Sequence, residues 1–144
     1  MAILYSDDMD DLSPENLVGF FADWETPPST STHLRMLQQS TFSIVAKDGP
    51  RVVGYLTALS DGVLFACISG IEVLAEYRGR NIGQELVRMA LAHFKDIYAV
   101  DLVCEPALQP FYLKLGFEAF SGTCIRNNLK KGGVESKRRV ATVS

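Results

Sequence analysis

The run Glu76-Tyr77-Arg78-Gly79-Arg80-Asn81-Ile82-Gly83-Gln84 joins a long apolar stretch, VLFACISGIEVL, to a segment with helical spacing. Small and basic residues at such a junction have a specific chemical use. The first amides of a helix lack intrahelical partners and the positive end of the helix dipole adds to them, so a phosphate that reaches the backbone there finds ready donors. Gly79 and Gly83 remove side chains from that approach, and Arg78 and Arg80 add cationic donors. Two other phosphate loops are excluded. Neither G-x-x-x-x-G-K-[ST] nor G-x-G-x-x-G occurs, and no early β-α-β order surrounds the segment.

Other reactive side chains are few. Ser69 and Glu72 lie in the apolar stretch before the loop, Glu105 follows the next apolar run, and His33 and His93 are the only histidines. Strand alternation puts Ser69 on the side of Ile71 and Val73, and turns Glu72 away from it unless a bulge at Gly70 reverses the phase. His93 falls on the solvent face of its helix. Tyr112 sits in Phe111-Tyr112-Leu113-Lys114-Leu115-Gly116-Phe117, where a core aromatic with a satisfied hydroxyl is one reading. The three cysteines, Cys67, Cys104 and Cys124, include no C-x-x-C pair and read as buried thiols rather than a disulfide framework or a metal site.

These residues need elements to hold them. Residues 2–6 read as a short strand. Ser13-Pro14-Glu15 has the form of a helix start, opening a helix with Leu17, Val18, Phe20, Phe21 and Trp24 on one broad face. Pro27-Pro28 ends it, and a second helix follows over residues 32–39. From Phe42 the period becomes that of strands. Turns at Asp48-Gly49-Pro50 and Asp61-Gly62 give a three-strand antiparallel meander. Residues 81–95 read as a helix, 97–104 as a strand, 111–115 as a short helix closed by Gly116, and 117–127 as a final strand with a bend at Gly122.

The chain has 144 residues, 47% apolar and 22% charged, the composition of one globular domain. Its net charge is −3, which argues against a nucleic-acid binder built on a basic face. No apolar run is long enough to cross a bilayer and the acidic N-terminus is unlike a secretory signal, so a cytoplasmic protein is expected. Residues 1–25 hold seven acids and no Lys or Arg, which reads as a solvated acidic face or as an attraction for cationic acceptors.

The sequence resembles the GNAT superfamily of acyl-CoA-dependent N-acyltransferases, whose cofactor motif [RQ]-x-x-G-x-[GA] lies between a strand and the following helix. Here it reads Arg78-Gly79-Arg80-Asn81-Ile82-Gly83. A second family feature, an aromatic-Tyr with a short helix and Gly-Phe, is matched by Phe111 to Phe117, and the element order agrees from about residue 13 to 127. The resemblance implies an α/β fold of the α+β kind, with a mixed, mostly antiparallel sheet splayed at the cofactor site and helices on both faces. One domain is expected over residues 1–129, and the five basic residues of 130–144, set against Glu135 alone, read as a basic, flexible tail.

The activity implied is that of an N-acetyltransferase, in which a neutral amine attacks the thioester of acetyl-CoA directly and no metal takes part. By the same resemblance Arg78, Gly79, Arg80, Asn81, Ile82, Gly83 and Gln84 would cradle the pyrophosphate, and backbone groups of Ile71 and Val73 would hold the pantetheine. Tyr112 would protonate the departing thiolate, and His33 lies in the region that lines the acceptor pocket. The chain departs from the family pattern at Asn81, where glycine is usual, at Ala75, where proline is common, and at Ser69, where many members carry a glutamate base. The base is left open between Glu72, Glu105 and a water relay through Ser69. A small-molecule amine is the expected partner, with no nucleic acid or membrane, and a homodimer is left open. A non-catalytic acyl-CoA sensor or assembly module and a protein or peptide acetyltransferase are the alternatives.

Overall fold

The computed structural model describes residues 2–127 and 141–142. A sheet runs in the order β1 (Leu4–Ser6), β2 (Phe42–Asp48), β3 (Arg51–Ser60), β4 (Phe65–Val73) and β5 (Ala99–Asp101), with β6 (Ala141–Thr142) also on β4. The pairs from β1 to β4 are antiparallel, and β4 pairs with β5 and β6 in parallel. Three helices complete the described chain: α1 (Thr30–Gln39), α2 (Ile82–His93) and α3 (Gln109–Leu113).

The meander follows from its turns. Gly49 supplies the left-handed φ of 62° that the β2–β3 connection needs. At the β3–β4 turn the Asp61 carboxylate accepts the amides of Val63, Leu64 and Phe65 at 2.8, 2.8 and 3.1 Å. Ser29 caps α1 by accepting the Thr32 amide at 3.1 Å.

Successive residues of β3 face opposite sides of the sheet, and each side has its own cover. Tyr55 meets His33 of α1 and Phe20, with ring centroids 4.6 and 5.3 Å apart. Gly54 faces α2. A Cβ there would lie 3.2 Å from Ile82 Cγ2 and 3.4 Å from Leu86 Cδ1, so the missing side chain is what lets the helix seat on the sheet. The core is thus two-sided, with Leu56, Val52, Ile71, Val73, Ile82 and Leu86 among its fully buried members.

Four expectations are corrected. The start at Ser13 is real, and Asn16 closes the capping box, but the turn is a 3-10 turn over Pro14–Leu17 and no helix follows. Gly19 (φ 109°) and Phe21 (φ 63°) leave the helical region, so the chain folds back over Tyr55 instead. The strand expected over 97–104 is only Ala99–Asp101, and residues 117–127 form no strand. The cysteines are not buried: Cys67 and Cys124 are exposed and Cys104 is half-buried. Of the proposed 130–144 tail, only Ala141–Thr142 falls within the described residues. No described helix is long and apolar enough to cross a membrane.

Filling the space at Gly54 tests the seat of α2. Gly54→Val is expected to cost about 1–3 kcal/mol by overpacking against Ile82 and Leu86. Urea denaturation of the two proteins measures it, and an unchanged midpoint would show that α2 does not depend on this approach.

Candidate active site

The last strand pair between β4 and β5 is Cys67 with Asp101, yet β4 continues to Val73. The sheet therefore opens on that side, and among the described residues the edge beyond Cys67 is met only by β6, through Ile71↔Ala141 and Glu72↔Thr142. This agrees with the splay that the family resemblance implies.

The loop after β4 is held by its own side chains. Arg78 donates from Nε to the Val73 carbonyl at 2.9 Å, and Arg80 donates from Nη2 to the Glu76 carbonyl at 3.3 Å while lying over the Tyr77 ring at 4.9 Å. The Tyr77 hydroxyl donates to Asp48 at 2.6 Å, tying the loop to the β2–β3 turn. Gly79 takes φ 79°, with nothing within 4 Å of where a Cβ would stand.

Asn81 is the residue before α2 and is left-handed (φ 63°, ψ 18°), a conformation asparagine tolerates better than most residues. The departure from glycine therefore keeps the backbone shape. Its side chain does not cap the helix, and its carbonyl accepts the Glu85 amide at 3.0 Å. The amides of Ile82, Gly83 and Gln84 precede that first bond and point out of the helix end, the geometry of an anion site. Ile82 and Gly83 are buried, Gln84 is half-buried, and Gly79, Arg80 and Asn81 are exposed.

Tyr112, in α3, is 3% exposed and packs edge-on against Phe111 and Phe117. Among the described residues its hydroxyl has no hydrogen-bond partner. Burial raises its pKa, with the nearby Cys104 thiolate form adding to the rise, so it holds its proton at any physiological pH.

The opposite face of β4 carries a second group of residues, which sequence reasoning did not assemble. Thr57 pairs with Gly70 and Ala58 with Ile68, so Ser69 is the extra residue of a bulge. Alternation is reversed there. Ser69 turns to Thr57, with their hydroxyl oxygens 3.0 Å apart, and not to the side of Ile71 and Val73. Glu72 pairs with Tyr55 on this same face, and its two carboxylate oxygens accept the Phe21 amide at 3.1 and 3.3 Å. Burial lifts the Glu72 carboxyl above the usual carboxylate range; the Phe21 amide and the Arg78 charge oppose the rise, and Asp23 adds to it.

Beside Glu72 lies an aromatic cluster. His33 is 2% exposed, edge-on to Phe20, Phe21 and Tyr55, and neither ring nitrogen has a hydrogen-bond partner among the described residues. Gly19 in the expected first helix and Gly70 next to Ser69 were the sequence signals for this arrangement. Of the other candidates, Glu105 is exposed at the start of a 3-10 turn, and His93 is exposed and stacked on Phe42 at 4.1 Å.

Comparison with known proteins agrees with this geometry. The acetyltransferase (GNAT) family matches residues 6–117. A candidate acetyltransferase from Deinococcus radiodurans R1 is 33% identical, with a TM-score of 0.86 over 93% of this chain and 94% of its own. A GNAT family acetyltransferase from Streptococcus pneumoniae is 25% identical, with a TM-score of 0.66 over 88% and 98%. A ribosomal-protein-alanine N-acetyltransferase from Brucella melitensis shares the fold alone, at 16% identity and a TM-score of 0.64 over 88% and 99%. No curated protein matches. The chain belongs to the GNAT acetyltransferase family.

The partnerless His33 makes the fold sensitive to acid. Burial pushes its pKa down from 6.5 to about 4, so the unfolded chain takes up the proton first. Stability from this group is complete above about pH 6.5 and falls as pH drops towards 4, by on the order of 3 kcal/mol. The urea midpoint of the parent should fall relative to that of His33→Leu as pH drops across that range. A constant difference between the two would show that His33 is protonated equally in both states.

Proposed function

We propose that this protein transfers the acetyl group of acetyl-CoA directly to a primary amine of a small molecule. The observation that carries the reading is the first turn of α2, whose amides have no side-chain cap from Asn81 and open beside Gly79. That turn fits a pyrophosphate, and the β4 edge past Cys67 fits an extended amide-bearing arm. Acetyl-CoA supplies an activated thioester.

Each part of the chain then has a task. Residues 79–84 bind the pyrophosphate, with Arg80 held near it by Glu76 and Tyr77. Arg78 braces the Val73 carbonyl and so fixes the end of β4 against the loop. Backbone groups of Ile71 and Val73 take the pantetheine, which requires β6 to give up its pairing at Ile71. Tyr112 donates its proton to the departing thiolate; its raised pKa means that the hydroxyl is protonated at neutral pH. The protein works in the cytoplasm, and its partner is the amine rather than a nucleic acid or a membrane.

A non-catalytic acyl-CoA sensor is the second reading. The partnerless hydroxyl of Tyr112 favours turnover, because a buried tyrosine kept for packing alone finds a hydrogen-bond partner in most folds. The acceptor itself is set by side chains and not by fold.

Calorimetric titration with acetyl-CoA, followed by coenzyme A release across a panel of amines, tests the proposal. Release is best read by chromatography, since the exposed Cys67 and Cys124 would consume thiol reagents. Gly83→Asp should abolish binding by placing bulk and negative charge at the anion site. Tyr112→Phe should lower turnover by ~10²–10⁴-fold with acetyl-CoA affinity nearly constant. Binding without release for every amine would establish the sensor instead.

A further inference from the structure

We propose that Glu72 is the group that takes the proton from the acceptor amine, an assignment that rests on the acetyltransferase reading above. An alkylammonium has a pKa near ~10, so at neutral pH most of the acceptor has no lone pair with which to attack. Some group close to the acyl-bearing strand must remove a proton.

The position of Glu72 meets that need. It stands between Ile71 and Val73, the two positions whose backbone is assigned to the pantetheine, and its side chain leaves the strand on the face away from α2. The bulge at Ser69 gives Ser69 and Glu72 a common face, so the Ser69–Thr57 hydroxyl pair and the Glu72 carboxylate lie on the same side of the sheet. The carboxylate is half-buried and accepts one backbone amide, that of Phe21, which leaves lone pairs on both oxygens. Next to Phe21, edge-on at 5.1 Å, Trp24 is 45% exposed and offers a face for the body of an amine.

The groups around it favour the role. Tyr55 faces it from β3, His33 stands behind Tyr55 on α1, Asp23 approaches from the loop before α1, and Arg78 from the loop after β4. His33 resists protonation, and Tyr55 resists deprotonation because of its burial and the Glu72 charge. Glu72, on the acyl-bearing strand itself, is therefore the group in this cluster placed to accept the proton. Desolvation brings its basicity closer to that of the working solution, where a proton acceptor is most effective.

The step balances. The Glu72 carboxylate removes one proton from the ammonium and releases it to solvent. The nitrogen lone pair forms the new C–N bond as the C–S bond breaks and its electron pair leaves with sulfur, which Tyr112 protonates. The second proton lost by nitrogen restores Tyr112 through solvent.

The test uses the whole chain with 2-phenylethylamine as the probe. Protein labelled with ¹³C at glutamate side-chain carbonyls is titrated by NMR, and Glu72→Gln identifies the resonance. Its midpoint should lie above the usual carboxylate range. It should also shift when the amine is added with coenzyme A, a mixture that cannot turn over. In the acetyl-CoA assay the acidic limb of kcat/KM should share that midpoint. Glu72→Gln should remove the limb and lower kcat by ~10²–10⁴-fold with acetyl-CoA affinity unchanged.

The amide oxygen of glutamine still accepts the Phe21 N–H, so a purely structural Glu72 would be rescued by Gln and not by Ala. A limb that survives in Glu72→Gln, or a resonance that ignores the amine, overturns the assignment. Failure of the parent to bind acetyl-CoA overturns the acetyltransferase reading instead.

Discussion

Between Thr57 and Ala58 the β3–β4 ladder loses step by one residue, and the division of labour in this molecule depends on that slip. Below it, β4 presents Ile71 and Val73 to the α2 side of the sheet and Glu72 to the side of Tyr55 and His33. Above it, Ala66 and Ile68 fill the core while Cys67 looks outward. Without the extra residue, Ser69 would sit with Ile71 and Val73, and no hydroxyl pair would lie on the carboxylate's side of the sheet. Gly70 makes the slip feasible, because a Cβ there would come within 3.1 Å of Thr57 Oγ1.

The loop that covers the second face is held by few interactions of high value. Phe21 adopts a left-handed φ that a bulky residue reaches only at a cost of about 1–3 kcal/mol. The charge-assisted bond from its amide to Glu72 and the packing of its ring on His33, Tyr55 and Trp24 offset that cost. A single side chain of the sheet thus both anchors the loop and faces the proposed acceptor.

Much of this was legible in the sequence where the signal was periodic and local. The meander, α1 and α2 follow from alternation, turn residues and helical spacing, and the strand-to-helix junction with its two glycines stands out from its neighbours. What failed was continuation. The N-terminal signature at Ser13 correctly marks a turn, but an apolar face does not extend a helix through Gly19, and tertiary contacts of Phe20 and Phe21 with Tyr55 outweighed propensity. Alternation also predicted the wrong face for Ser69, since a bulge leaves almost no trace in composition beyond one glycine. The segment after Gly116 carries apolar residues, Phe120 and Ile125, that the described residues leave exposed, so its strand-like pattern finds no partner there.

The close seat of α2 on Gly54 has a consequence for how tightly an anion can be held. The helix whose first amides form the cradle is pressed against the middle strand of the meander, and the loop leading into it is tied to Val73, Glu76 and Asp48 by three side chains. Donors fixed in this way have little conformational entropy left to lose when a ligand arrives, so almost all of each new hydrogen bond appears as affinity. A cradle assembled from mobile donors would need more contacts for the same result. Rigidity of this kind suits the highly charged cosubstrate proposed for this fold.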